Sequence, residues 1–185
     1  MFNVDWSKLP VPQDDGAAKH LLNLTLPAIS LASTDGTQIT LSSLPGKSVV
    51  YIYPRTGKPG QENPPGWDDI PGARGCTPQS CSFRDHAEEL RSLGIDHIFG
   101  LSTQDTEYQK EVATRIHLPF PILSDDELEL TNKVKLPVFD VEGVGTLLKR
   151  MVLIVDGGRI VKVFYPVFPP EGSAKEVVDY LKNQS

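Results

Sequence analysis

The chain has 185 residues, 39% of them hydrophobic, and a formal charge of −6. That length suits one domain able to bury its own core, and the scattered basic residues exclude the cationic stripe of a nucleic-acid binder. No apolar run reaches a membrane span, and two cysteines are too few for a disulfide scaffold.

Residues 1–22 read as an irregular, partly polar N-terminal extension, and 23–185 as one domain. "PAISLAS" and "TQITLSSL", joined by Thr34-Asp35-Gly36, predict an N-terminal β-hairpin. "SVVYIY" (48–53) is a β-branched and aromatic run of buried-strand length. Residues 57–75 then hold five glycines and four prolines, which forbid regular structure. A helix follows, with Phe83, Ala87 and Leu90 at helical spacing, Pro78 in its first turn and Thr77 placed to cap it. "HIFGLST" (97–103) predicts a strand, and 105–116 a helix burying Val112, Ala113 and Ile116. "FPILS" predicts a short strand, and 125–134 a helix with Asp125 and Asp126 at its positive end. "RMVLIVD" and "RIVKVFY", split at Asp156-Gly157-Gly158, predict a hairpin. Ala174, Val177, Val178 and Leu181 mark a last helix. Strands alternating with helices predict an α/β domain, a mixed central sheet flanked by helices. The closing hairpin and helix give it the pattern of a thioredoxin-like fold.

The opening "MFNVDWSKLP" has no basic region followed by an apolar run, so no secretory leader is expected and the cytoplasm is the default. In that compartment thiols stay reduced and disulfides are transient. The only cysteines, Cys76 and Cys81, fall just past the first core strand at the mouth of a helix. Ligands of open α/β sheets bind at that edge. The thiolate is the reactive form, and a helix start favours anions through its unpaired N–H groups and dipole. Cys76 receives both effects and Cys81, more than a turn inside, receives neither. Two unequal thiols follow: Cys76 attacks and Cys81 resolves.

On a continuous helix, residues five apart have Cα atoms roughly 8–9 Å apart. A disulfide needs about 7 Å or less. Pairing therefore requires the helix to unwind, which suits a cysteine that first becomes a sulfenic acid and then condenses with its partner. The alternative is a pair of ordinary helix cysteines, one of them in the core. The four histidines show no ligand spacing around these cysteines, so neither a metal nor a cofactor is expected.

"GCTPQSCSFRD" (75–85) resembles the active-site segment of peroxiredoxins of the bacterioferritin comigratory protein, or Q-type, subfamily. The resemblance continues through "YIYP", "GLSTQD", "FPILSD" and "KRMVLIVDGGRI", and covers roughly residues 25–182. It implies a thiol peroxidase that reduces hydrogen peroxide or an organic hydroperoxide at Cys76. Cys81 would resolve the sulfenic acid as an intramolecular disulfide, and thioredoxin or a similar dithiol protein would restore the thiols. An arginine opening a late strand would hold thiolate and peroxide, and by position that is Arg150. A guanidinium suits both, since it stabilises an anion and donates to oxygen. The expected assembly is a monomer or homodimer, with neither nucleic acid nor membrane as partner.

One departure stands out. The family places Pro, three residues, Thr or Ser, two residues, then the peroxidatic cysteine. Here Ala73 occupies the hydroxyl position, and 21 residues separate Pro54 from Cys76. Thr56, just after Pro54, is the first candidate to supply the hydroxyl, with Thr77 the second. The inserted loop at 57–75 carries Trp67 as an apolar anchor. It reads as a lid on the site, a subunit contact, or a mobile surface loop. Three rival functions remain open from the residues alone: a thiol-disulfide exchange protein, a non-enzymatic redox sensor, and a binding module with structural cysteines.

Overall fold

The structure, a computed structural model, describes residues 4–184. Residues 1–3 of the expected extension and residue 185 of the expected domain lie outside them. β1 (Leu31–Ser33) and β2 (Gln38–Ile39) form the first hairpin, and β3 (Lys47–Ile52) is the central strand. α1 (Cys76–Asp85) and α2 (Ala87–Ser92) lead to β4 (His97–Ser102). α3 (Thr106–Arg115), β5 (Ile122–Ser124) and α4 (Glu129–Val134) follow. Then come β6 (Val138–Val141), β7 (Gly145–Leu148), β8 (Met151–Asp156), β9 (Arg159–Phe164) and α5 (Ser173–Lys182). The main sheet has the order β2-β1-β5-β4-β3-β8-β9. It is mixed: β3, β4 and β5 run parallel, while β8 is antiparallel to both β3 and β9.

Strand alternation divides the core into two layers. Val49, Tyr51 and Tyr53 face a cluster with Phe83, Leu90, Val112 and Val177, which places α1, α2, α3 and α5 on one side. Val50 and Ile52 face Leu130 and Val134 of α4 and the N-terminal Ala18 and Leu21. β3 is therefore buried on both faces, which is why it reads as an unbroken apolar run. Tyr51 stacks on Phe83 with ring centroids 4.6 Å apart and only 7° between planes. Gly100 lies opposite Tyr51 in the register, where a Cβ would come within 2.8 Å of the phenol oxygen.

Three local expectations are corrected. The helix expected after the cysteines is broken at His86, where φ is −102° and ψ 6°. There the N–H and ring Nδ1 of His86 both donate to the Ser82 carbonyl, at 3.1 and 2.8 Å. α4 starts at Glu129 rather than Asp125, because Leu128 is left-handed with φ 56°. Asp125 still serves that helix from outside it: its carboxylate accepts the N–H groups of Leu130 (3.0 Å) and Thr131 (2.8 Å). Finally, β6 and β7 pair as a separate two-stranded ribbon that the hydrophobic pattern did not announce. Both its strands are half exposed, so neither carries a core-strand signature.

The described part of the N-terminal stretch holds two short 3-10 turns, Trp6–Lys8 and Lys19–Leu21, and packs along the domain. Asp15 accepts from Lys149 Nζ and from the Tyr165 hydroxyl, each at 2.7 Å. Those two bonds hold its carboxyl well below the ordinary range.

Replacing Phe83 by Ala removes the ring under Tyr51 and leaves a cavity in the larger core layer. The expected loss is about 3–5 kcal/mol, read as a lower urea midpoint with an unchanged slope; an unaltered midpoint would contradict the packing described.

Candidate active site

Gly75 sets the start of α1. Its φ of +107° suits glycine, and a Cβ there would lie 2.6 Å from Pro170 and 2.8 Å from the Trp6 ring. Gly75 occupies the N-cap position and no side chain caps the helix, so Thr77 is not the cap that its position suggested. Backbone bonding along α1 begins with Gln79 N–H to the Gly75 carbonyl at 3.0 Å. Cys76 is the first residue of the helix and Cys81 lies in its second turn, both as free thiols on one wound segment.

The two thiols differ sharply in setting. Cys76 is 3% exposed and sits in the larger core layer. Its Sγ lies 3.6 Å from the Ala73 carbonyl and 3.2 Å from Arg150 Nη2. Cys81 is half-buried and lines an open groove with Pro78, Arg84, Asp85, His86 and Arg115. Burial pushes the Cys81 thiol up, against a smaller downward pull from Arg84.

Arg150 immediately precedes β8 and is also 3% exposed. Its Nη1 donates to Gln79 Oε1 at 2.6 Å, and Nε to the Gly72 carbonyl at 3.2 Å. Nη2 lies within 3.1–3.2 Å of the carbonyls of Gly72, Ala73 and Arg74 as well as Sγ. That is more acceptors than one nitrogen has hydrogens, so the bonds are shared. No carboxylate touches the guanidinium among the described residues, leaving Sγ as the one neighbour able to carry a compensating formal charge. Gln79 is fully buried, and its Nε2 donates to Ser173 Oγ at 3.2 Å. The sequence reading passed over it, although a glutamine three positions after Cys76 falls on the same helix face.

Cys76 and Arg150, 74 positions apart in the chain, are thus brought together. Cys81 shares the helix of Cys76 but lines a different groove. Thr56 is buried, and its hydroxyl bonds Gln104 Oε1 at 3.3 Å rather than the sulfur. Its N–H donates to the same oxygen (3.0 Å), while Gln104 Nε2 donates to its carbonyl (3.1 Å). The "GLSTQD" stretch is structural in the same way: Ser102 Oγ accepts from Gln109, and Asp105 caps α3 through Tyr108 N–H.

The inserted loop folds onto this site. Trp67 is buried among Ala73, Leu147 and Phe139, with the Arg55 guanidinium 5.9 Å from its ring. Arg74 pairs with Asp68. These contacts fix the end of the loop, whose carbonyls at 72–74 surround Arg150. Tyr51 and Tyr53 pack in the same core layer as Cys76, and burial raises both phenols so that they stay protonated. Among the described residues no cluster of His, Cys, Asp or Glu could hold a metal, and no helix is long and apolar enough to cross a membrane.

The redoxin family profile matches residues 22–181. The chloroplastic peroxiredoxin Q of Sedum lineare is 30% identical over 176 residues, covering 94% of this chain and 84% of that protein. The chloroplastic peroxiredoxin Q of Populus jackii is 31% identical over 159 residues, or 85% of this chain and 66% of its own length. Among solved structures, peroxidoxin BcpB of Mycobacterium tuberculosis superposes with a TM-score of 0.70 at 22% identity, covering 89% and 97% of the two chains. Peroxiredoxin Q of Xanthomonas campestris gives 0.67 at 23% identity, covering 86% and 96%. These structures share the thioredoxin-like fold, a mixed sheet flanked by helices. With the site geometry and the sequence matches in agreement, the chain belongs to the redoxin family, in its peroxiredoxin Q and bacterioferritin comigratory protein group.

Proposed function

We propose that this chain is a thiol peroxidase in which Cys76 is the peroxidatic residue, Cys81 the resolving one, and Arg150 the group that holds the reacting atoms. The observation that carries the reading is the 3.2 Å contact between Arg150 Nη2 and a sulfur that is almost sealed from solvent. A buried sulfur is out of reach of a protein disulfide, which argues against a simple exchange protein. A peroxide is small enough to enter. The Cys76 thiolate attacks one peroxide oxygen and the O–O bond breaks. The leaving oxygen takes a proton and departs as water or an alcohol, and the sulfur, oxidised by two electrons, becomes a sulfenic acid. A guanidinium already desolvated beside the sulfur stabilises charge passing from sulfur to the leaving oxygen without reorganising.

Cys81 then attacks the sulfenic sulfur, and water leaves as the disulfide forms. Both cysteines lie on the wound α1, so its first turns must open before the sulfurs meet. A dithiol protein of the thioredoxin type would return both thiols to the reduced state. Thr56 is given no part in this reading, since Gln104 holds its hydroxyl and the Ala73 carbonyl takes the acceptor position beside Sγ.

Peroxide consumption is expected to vanish in Cys76→Ser. Cys81→Ser should react once, yield a sulfenic or over-oxidised Cys76 by mass spectrometry, and fail to turn over with thioredoxin. The reverse pattern would make Cys81 the attacking residue. Arg150→Lys keeps the charge but loses the planar fork that reaches Gln79, the loop carbonyls and Sγ together. Its second-order rate with hydrogen peroxide is expected to fall about 10²-fold, and a rate within twofold of wild type would remove Arg150 from the chemistry. The reactivity of Cys81 before oxidation supplies an independent check. Only the thiolate is alkylated, and burial raises the Cys81 pKa above the ordinary 9.0 while α1 stays wound. Iodoacetamide labelling of Cys81 in reduced Cys76→Ser should therefore accelerate with rising pH, about tenfold per unit below that pKa, and should not level off near neutrality.

A further inference from the structure

We infer that residues 4–22 form a strap that clamps the first turn of α1 through Trp6 and must lift before Cys76 and Cys81 can join. The strap thereby sets how an oxidised Cys76 divides between resolution and over-oxidation. The inference rests on the peroxidase reading above and adds a control on its second step.

The clamp closes on Gly75, the residue from which α1 starts. Trp6 lies in the first 3-10 turn, and its ring sits so near Gly75 that a Cβ there would fall 2.8 Å from Cη2. Pro170 lies 2.6 Å from the same point, and Phe168 meets the Trp6 ring edge to face at 6.1 Å. The backbone that opens α1 is thus held in a slot with Trp6 as one wall. The strap has two more anchors further along. Asp15 accepts from Lys149 Nζ and the Tyr165 hydroxyl, each at 2.7 Å. Ala18 and Leu21 are buried in the core layer that holds α4.

The Trp6 end is built to come away. Trp6 Nε1 is buried with no hydrogen-bond partner among the described residues. The closed strap therefore leaves a donor unmet that water satisfies once the ring swings out. Between Trp6 and Asp15 the strap bridges a cavity of about 370 Å³ instead of packing down, and Val11 in that span is 54% exposed. Sparse burial of this kind marks a segment that opens at low cost. Pairing of the cysteines requires the first turns of α1 to unwind, and that motion removes the surface on which the Trp6 ring rests. The rate at which Cys81 reaches the sulfenic sulfur then scales with the fraction of molecules in which strap and helix are open. In the closed fraction the sulfenic sulfur can attack a second peroxide. The O–O bond breaks, water or an alcohol leaves, and the sulfur is oxidised by two more electrons to a sulfinic acid. All but the last residue of the strap precede the family profile match, which begins at residue 22.

The test separates two rates in the reduced full chain after a pulse of hydrogen peroxide: loss of the Cys76 thiol and formation of the disulfide. Both are read by mass spectrometry of acid-quenched samples. Trp6→Ala removes one wall of the slot, and Asp15→Ala cuts a different anchor of the same strap. In each, disulfide formation is expected to accelerate about three- to tenfold, the scale of one lost aromatic contact or hydrogen-bonded anchor. The peroxide concentration that over-oxidises half of Cys76 should rise by the same factor. Thiol loss should stay within about twofold of wild type, because neither residue touches the sulfur or the guanidinium. Trp6→Phe keeps a ring against Phe168 and should behave as wild type. An unchanged disulfide rate in either alanine variant, or a thiol-loss rate that shifts by the same factor, would overturn the strap while leaving the peroxidase reading standing. A wild-type Cys76 that peroxide does not oxidise would instead remove the peroxidase reading, and the strap with it.

Discussion

A guanidinium buried without a carboxylate is costly unless every N–H finds an acceptor and the charge finds compensation. Each nitrogen of Arg150 has an acceptor, among the backbone carbonyls at 72–74, Gln79 and Cys76 Sγ, and of these neighbours only the sulfur could carry the compensating charge. Much of the local architecture answers that demand. β8 begins directly after Arg150 and pairs with β3 along its whole length, which fixes the base of the side chain. Trp67 anchors the loop that delivers the carbonyls. Gln79 joins the guanidinium to α1 and, through Ser173, to the start of α5. The insertion that separates Pro54 from Cys76 is consequently part of the site's scaffold. It is long because it must travel out to bury Trp67 and return with its carbonyls aimed inward.

The same packing that readies Cys76 opposes the step that follows. A wound α1 keeps the two sulfurs too far apart to join, and the start of that helix is gripped from outside. Gly75 leaves no room for a Cβ between Pro170 and Trp6, and Trp6 meets Phe168 edge to face at 6.1 Å. Unwinding the first turns would break the Gln79 bond to Arg150 and disturb both contacts. In the proposed cycle, oxygen transfer would replace a thiolate able to compensate the guanidinium by a neutral sulfenic acid, so the grip on α1 would loosen after the first step. That order suits a thiol that must be held for the first step and released for the second.

The strands and the thiol pair were largely legible in the sequence because they rest on local patterns. "SVVYIY" needed only its apolar run, the β8–β9 hairpin only its Asp-Gly-Gly turn, and Cys76 only its place at a helix mouth. What escaped was non-local. The ribbon of β6 and β7 buries little and so carries no strong period. The break at His86 comes from a ring turning back onto its own helix, which composition does not reveal. Thr56 was sought as the missing hydroxyl because it is near Pro54 in sequence; Gln104, 48 positions on, holds it instead. Arg150 carried no signal as a lone residue and was found only by resemblance. Gln79 could have been found from its helical phase with Cys76, had a buried polar partner for Arg150 been sought.

The contrast between the two thiols fits the roles proposed for them. A nucleophile kept almost free of water reacts only with what can reach it, and it meets its charge partner already in place. A resolving thiol needs the opposite: access to a partner protein, and protection from oxidation before its turn. Cys81 has both, since it borders an open groove and its raised pKa keeps it protonated and unreactive in the folded helix. In the proposed cycle the disulfide would have unequal halves. An incoming thiolate displaces the better leaving group by attacking the other sulfur, and the Cys76 sulfur is the one that has the Arg150 guanidinium beside it in the closed site. Attack at Cys81 with departure of Cys76 would therefore be the favoured route back to the reduced form, because the departing thiolate would regain its charge partner as α1 rewinds.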